Sequence, residues 1–133
     1  MVMAEGVHAE RSLRLGALRG AITVDEDTTQ AVGEAVAELI EALVSANEIE
    51  PSQILSAIFS ATADIRSVHP AAIARRLGWE DVPMLCVAEM AVDGALPRCV
   101  RVLLHLSVAD DRRLRPCYLR GAHVLRPDLP PVR

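Results

Sequence analysis

From Arg98 to Val108 the chain reads as one long β-strand with an arginine set inside it. Successive side chains of a strand point to opposite faces. That places Val100, Val102, Leu104 and Leu106 on one side, and Cys99, Arg101, Leu103 and His105 on the other. So apolar a strand belongs inside a sheet, and this constrains the fold more than any other segment. It also poses a problem, because a charge in a buried strand costs several kcal/mol unless it is paired. Glu89, which ends the preceding predicted strand, is the available partner. Either Arg101 and Glu89 form a structural ion pair, or they line a polar pocket for an anion. Arg19 raises the same question, because it interrupts Leu18-Arg-Gly-Ala-Ile inside the first strand.

The remaining elements follow from period and punctuation. Leu15 to Val24 is apolar, ends in the β-favouring Ile22-Thr23-Val24, and stops at the acidic turn Asp25-Glu26-Asp27. Asp27 or Thr28 then caps a helix, with Gln30 where a capping-box partner falls. Val32, Val36, Leu39, Ile40 and Leu43 recur along it at helical spacing and form a core stripe. Pro51 leads to a short buried strand, Ile54 to Thr62. Pro70 starts a short helix, Ala71 to Leu77, which Gly78 stops. A third strand, Met84 to Glu89, follows Pro83, and Val92-Asp93-Gly94 turns the chain into the long strand. Beyond Asp110, the residues Arg112, Arg113, Arg115, Pro116, Tyr118 and Arg126 read as an irregular basic wrap over the sheet. Strands and two helices in this order predict an α+β domain, a mixed β-sheet packed with two helices.

Composition and motifs exclude more than they assign. The 133 residues suit one domain, and no apolar run reaches the roughly 20 residues of a membrane span. Residues 1–13 carry Glu5, Glu10 and Arg11 without an apolar core, which predicts a disordered extension and a cytoplasmic protein rather than a signal peptide. Cys86, Cys99 and Cys117 are spaced like neither a zinc site nor a disulfide framework and are expected to be free thiols. Net charge is -4, and aromatics are limited to Phe59, Trp79 and Tyr118, which argues against nucleic acid as a partner. There is no Gly-rich phosphate loop, HExxH, CxxC pair or Gly-x-Ser-x-Gly elbow. His8, His69, His105 and His123 are scattered, and Asp64 reads as a strand-end cap. No metal, cofactor or nucleophile is therefore expected. What remains are arginines, which supply all 14 basic residues, each a planar fork suited to carboxylates.

Six segments carry a resemblance. They are Leu18-Arg-Gly-Ala-Ile-Thr-Val, Ser60-Ala-Thr-Ala-Asp, Cys86-Val-Ala-Glu-Met, Leu96-Pro-Arg-Cys-Val-Arg-Val, Tyr118-Leu and Leu125-Arg-Pro-Asp-Leu. In this order and spacing the chain resembles the Bacillus-type, AroH-class chorismate mutases, over a domain of residues 14–129 with a flexible tail at 130–133. The resemblance implies a pseudo-α/β-barrel homotrimer that rearranges chorismate to prephenate for phenylalanine and tyrosine synthesis, with each site in a cleft between subunits. It further implies that Arg101 donates to the ether oxygen of the breaking bond and that Glu89 accepts from the ring hydroxyl. Arg19 would bind a substrate carboxylate, Cys86 and Tyr118 would line the cleft, and Arg75 and Arg126 would supply outer contacts. This Claisen rearrangement of a dianion requires a folded conformer and fixed positive charge, so the lack of acid–base motifs is expected.

The chain also departs from that pattern. Where the family often has Phe-Pro-Ala-Lys, this sequence has His69-Pro-Ala-Ala, so an aromatic and a cation at the cleft edge are replaced. Two rivals on a similar trimer are a Rid-type imine deaminase and a non-catalytic anion-binding module. The first would lack the Cys86-to-Glu89 spacing and the Leu125-Arg-Pro-Asp-Leu tail. The second has no need for Arg19, Glu89, Arg101 and Tyr118 together.

Overall fold

The computed structural model describes residues 12–130. The expected extension, apart from its last two residues, lies outside this range, as do the last three residues of the expected tail. The chain runs β1 (Leu13–Thr23), α1 (Thr29–Asn47), β2 (Ile54–Ala61), α2 (Pro70–Ala74), β3 (Met84–Ala88), β4 (Cys99–Ala109) and β5 (Cys117–Leu119). The strands form one sheet in the order β3-β2-β4-β1-β5. β4 is central and antiparallel to both β1 and β2, while β3 joins β2 and β5 joins β1 in parallel. This is the mixed sheet with two helices predicted from the pattern.

Three local readings are corrected. β1 starts at Leu13, inside the segment expected to be an extension, because its backbone pairs with Ala109 at the far end of β4. β5 falls within the stretch read as irregular; three residues are too few to show a period. At α1 the cap is Thr28, whose hydroxyl accepts from Ala31 N at 3.0 Å, so the capping-box position is Ala31. Gln30 instead donates to Glu34, at 3.2 Å. Asp27 is engaged elsewhere, accepting from Arg66 N and Ser67 N at 3.0 Å each and tying the loop before α2 to the start of α1.

One face of the sheet is closed by α1. Val32, Ala35, Val36, Leu39, Ile40 and Leu43 are all buried and meet Leu18, Ile22, Phe59, Val102, Leu104 and Leu106 from the strands. Gly20 permits this approach. A Cβ there would lie 3.0 Å from Leu43 Cδ1 and 3.1 Å from both Leu39 Cδ1 and the Cys117 carbonyl. α2 continues into a wider helical turn over Arg75–Trp79, which ends where Gly78 takes φ 105. That turn brings Trp79 into the core. The opposite face of the sheet has little cover from the described residues. Leu13, Leu15, Leu85 and Val87 are all exposed. Only a small second cluster, Ala21, Cys99 and Ala122 with Leu96, Tyr118 and Leu125, closes one end of it.

Asn47, the last residue of α1, is buried and fully used. Its Nδ2 donates to Leu43 O at 2.9 Å and Arg115 O at 3.0 Å, and its Oδ1 accepts from Arg115 N at 2.7 Å. Arg112 Nη1 adds a bond to Asn47 O at 2.6 Å. The helix end thus fixes the strand-free segment that leads into β5. Asn47→Ala would leave the Arg115 peptide groups without their partner, and a loss of about 2–3 kcal/mol in urea unfolding is expected. A change below about 0.5 kcal/mol would mean that water replaces the amide at no cost.

Candidate active site

Residues paired across a sheet share a face. One row on the uncovered face reads Val87, Ser60, Arg101, Ala21, Tyr118, from β3 through β2, β4 and β1 to β5. Arg101 is therefore in the middle of the sheet, with Ser60 on one side and the small Ala21 on the other. Arg19 pairs with Leu103 in the next row, on the same face. It is the diagonal neighbour of Arg101, with Cβ atoms about 7–8 Å apart. Two guanidiniums therefore stand on one surface, spaced for a molecule with more than one anionic group.

Glu89 follows the end of β3, where its amide donates to Ala61 O at 3.0 Å. Its side chain turns onto the Arg101 face. Oε1 accepts from Ser60 Oγ at 2.6 Å, and the same oxygen stands 3.6 Å from Arg101 Nε. Arg101 Nε is buried and has no hydrogen-bond partner among the described residues. The side chain as a whole stays 43 % exposed, so the cation is open to a ligand. Two of the chain's other arginines show what a closed pair looks like. Arg120 reaches Glu38 at 2.7 Å, and Arg126 grips Asp128 through Nε at 3.0 Å and Nη2 at 2.8 Å. By that standard the Arg101–Glu89 pair is held apart. An ion pair this open contributes only about 0–1 kcal/mol, too little to explain placing a charge in a central strand.

The surroundings support an anion site. Cys99, two residues before Arg101 on the same face, is buried beneath it; burial pushes its thiol up, while the nearby Arg101 cation pulls it down. Tyr118 is half-buried at the end of the row. Arg126 lies beside Tyr118, and its hydrogen bonds from the guanidinium to Asp128 hold it in the charged form. Asp64 acts as the strand-end cap expected of it. Its carboxylate accepts from Arg98 N at 3.0 and 3.2 Å, where Arg98 takes φ 45 at the entry to β4.

Two of the expected site residues are not brought to this face. Cys86 pairs with Phe59 and packs against the α1-side core, so it lies on the other side of the sheet from Glu89. The cause is parity, because positions three apart on a strand face opposite ways. Cys86 instead lines a hollow with Arg66, His69 and Pro70 at the sheet edge. Arg75 is exposed at the C-terminal end of α2. Of the seven expected residues, Arg19, Glu89, Arg101, Tyr118 and Arg126 thus fall on the Arg101 side, while Cys86 and Arg75 each lie elsewhere. Ser60, which the sequence reading did not single out, is brought against Glu89. It lies within a segment that carries the resemblance, but only the strand register sets it opposite Arg101.

Residues 15–129 match the family described as chorismate mutase type I. The chain belongs to that family. The chorismate mutase AroH of Thermus thermophilus is 46% identical over 114 residues, covering 84% of this chain and 93% of the relative. The corresponding protein of Bacillus subtilis (strain 168) is 37% identical over 114 residues, covering 84% and 90%. A solved chorismate mutase from Clostridium thermocellum superposes with a TM-score of 0.77 at 34% identity, covering 82% of this chain and 98% of that one. Within this chorismate mutase fold, the open Arg101–Glu89 pair predicts that Arg101→Ala shifts unfolding free energy by less than about 1 kcal/mol in urea titration. A loss of about 3 kcal/mol or more would mark the pair as structural instead.

Proposed function

We propose that the chain converts chorismate to prephenate on the Arg101 face, with Arg101 as the group that stabilises the transition state. The observation that carries this reading is the buried, unpartnered Nε of Arg101, 3.6 Å from a carboxylate oxygen already engaged by Ser60. The rearrangement breaks a C–O bond and forms a C–C bond within one dianion, and negative charge builds on the ether oxygen. A donor fixed before the reaction lowers that barrier without reorganising. Arginine suits the task because its fork stays protonated and points in a fixed direction. In this reading Glu89 accepts from the ring hydroxyl and Arg19 binds a carboxylate. Tyr118 and Arg126 close the end of the row.

We place the working site between copies of the chain in a homotrimer. Two features support this. The uncovered sheet face exposes Leu13, Leu15, Leu85 and Val87, an apolar surface suited to a second copy. Cys86 and Arg75 lie away from Arg101 within one chain, so a neighbour's edge would have to supply them. In a ring, each subunit would give its Arg101 face to one site and its Cys86 edge to the next. The described helices include none long and apolar enough to cross a membrane, in keeping with a cytoplasmic enzyme.

Steady-state kinetics by ultraviolet loss of chorismate test the central claim. Arg101→Ala is expected to lose at least about a hundredfold in kcat, with the trimer intact by sedimentation. Wild-type turnover in that variant would end the proposal. The edge at His69 and Ala72 generates a second expectation. The N-terminal turn of α2, which begins after His69, carries no lysine, so substrate binding is weakened more than the chemical step. Ala72→Lys should lower KM while changing kcat by less than about twofold. A rise in kcat at constant KM would contradict this.

A further inference from the structure

We propose that Ser60 is a positioning residue that holds Glu89 off Arg101 and so keeps the half-exposed Arg101 guanidinium free for substrate. The inference rests on the reading of Arg101 and Glu89 given above, and it assigns a task to a residue that reading does not use.

The geometry is specific. Ser60 is directly opposite Arg101 across the β2–β4 ladder, and its hydroxyl donates to Glu89 Oε1 at 2.6 Å. Arg101 Nε faces the same oxygen at 3.6 Å, beyond hydrogen-bonding distance. Left to themselves, a carboxylate and a guanidinium this close form a charge-assisted bond at about 2.7–2.9 Å. Arg120–Glu38 and Arg126–Asp128 do so in this same chain, while the more exposed Arg112–Glu48 pair stays at 3.5 Å. Glu89 is only 24% exposed, and the short Ser60 bond is the competing contact on its Oε1. Hydroxyl-to-carboxylate bonds are among the stronger ones. Ser60 is anchored by the sheet on both sides, paired with Arg101 on β4 and Val87 on β3. The carboxylate is thus tethered to the sheet floor rather than to the cation.

Removing the hydroxyl frees Oε1, and the nearest unpartnered donor is the buried Nε of Arg101. The carboxylate then closes on it. That movement spoils two groups at once, since Glu89 leaves its place and Arg101 becomes internally neutralised before substrate arrives. Both losses fall on the chemical step, whereas carboxylate binding through Arg19 is left in place. The signature is a kcat effect with little change in KM.

Kinetics on Ser60→Ala, Ser60→Thr and Ser60→Cys, each alone, and on Ser60→Ala combined with Glu89→Ala, test the proposal. Ser60→Ala should lose about tenfold in kcat with KM within about twofold, and Ser60→Cys, a weak donor of similar size, should match it. Ser60→Thr, which keeps the hydroxyl, should stay within about threefold of wild type. In the Glu89→Ala background the Ser60→Ala change should have less than about a twofold effect, because its target is gone. Thermal melts identify any variant that does not fold, and the Thr and Cys variants then decide the outcome. An equal Ser60→Ala loss in both backgrounds would make the residue merely structural and overturn the proposal. Wild-type kcat in Ser60→Ala, while Arg101→Ala and Glu89→Ala are impaired, would overturn it and leave the reading of the site standing. Wild-type kcat in Arg101→Ala and Glu89→Ala would remove that reading and this proposal together.

Discussion

Leu39 and Leu43 of α1 rest against Gly20 at the middle of β1, so the long helix lies across one face of the sheet at close range. Among the described residues, no comparable element lies over the other face. A five-stranded sheet with apolar side chains on both sides can bury only one of them this way. On the bare side Leu13, Leu15, Leu85 and Val87 stay exposed. The same one-sidedness keeps Arg101 open. Had a second helix covered that face, a guanidinium at the sheet centre would have required full pairing.

The chemistry then depends on how charges are kept from satisfying one another. Within this fold, pairs such as Arg120–Glu38 close tightly and contribute to surface structure. The Arg101–Glu89 pair does not close, and Glu89 Oε1 is bonded to Ser60 instead. An unspent donor in a partly desolvated place is a poor stabiliser of the folded state and a good stabiliser of charge that appears later. The other ionisable groups near the site have structural duties. Asp64 holds the turn into β4, and Asp128 holds Arg126. Cys99 and Cys117 are buried thiols, the latter pushed up to about 11 by burial and thereby kept inert at neutral pH.

Much of this was legible along the chain. The alternation through β4 identified both its core side and the face of Arg101, and the helical stripe of α1 was readable from Val32 to Leu43. The parity of Cys86 and Glu89 was also readable, since positions three apart on a strand must oppose, yet the family resemblance set both in one cleft. β5 carried no signal, because three residues have no period, and its pairing depends on the clip from Asn47. Gln30 looked like a capping partner only while Asp27 was a candidate cap, and distant backbone amides claimed Asp27 instead.

By itself the sequence determined both helices and every strand but β5, that arginine fills every Lys or Arg position, and that Arg101 and Arg19 lie in apolar strands. Those outcomes depend on local period and residue chemistry, which a linear chain carries in full. Only the tertiary structure decided that Ser60 stands opposite Arg101 and bonds Glu89, that Ala21 and Tyr118 share that row, and that Cys86 faces away. Those facts depend on strand order and register, which are set by where α1 and the long loops allow the strands to meet. The opening puzzle of a charge in a buried strand resolves there. The strand is buried on one side only, and the arginine is on the other.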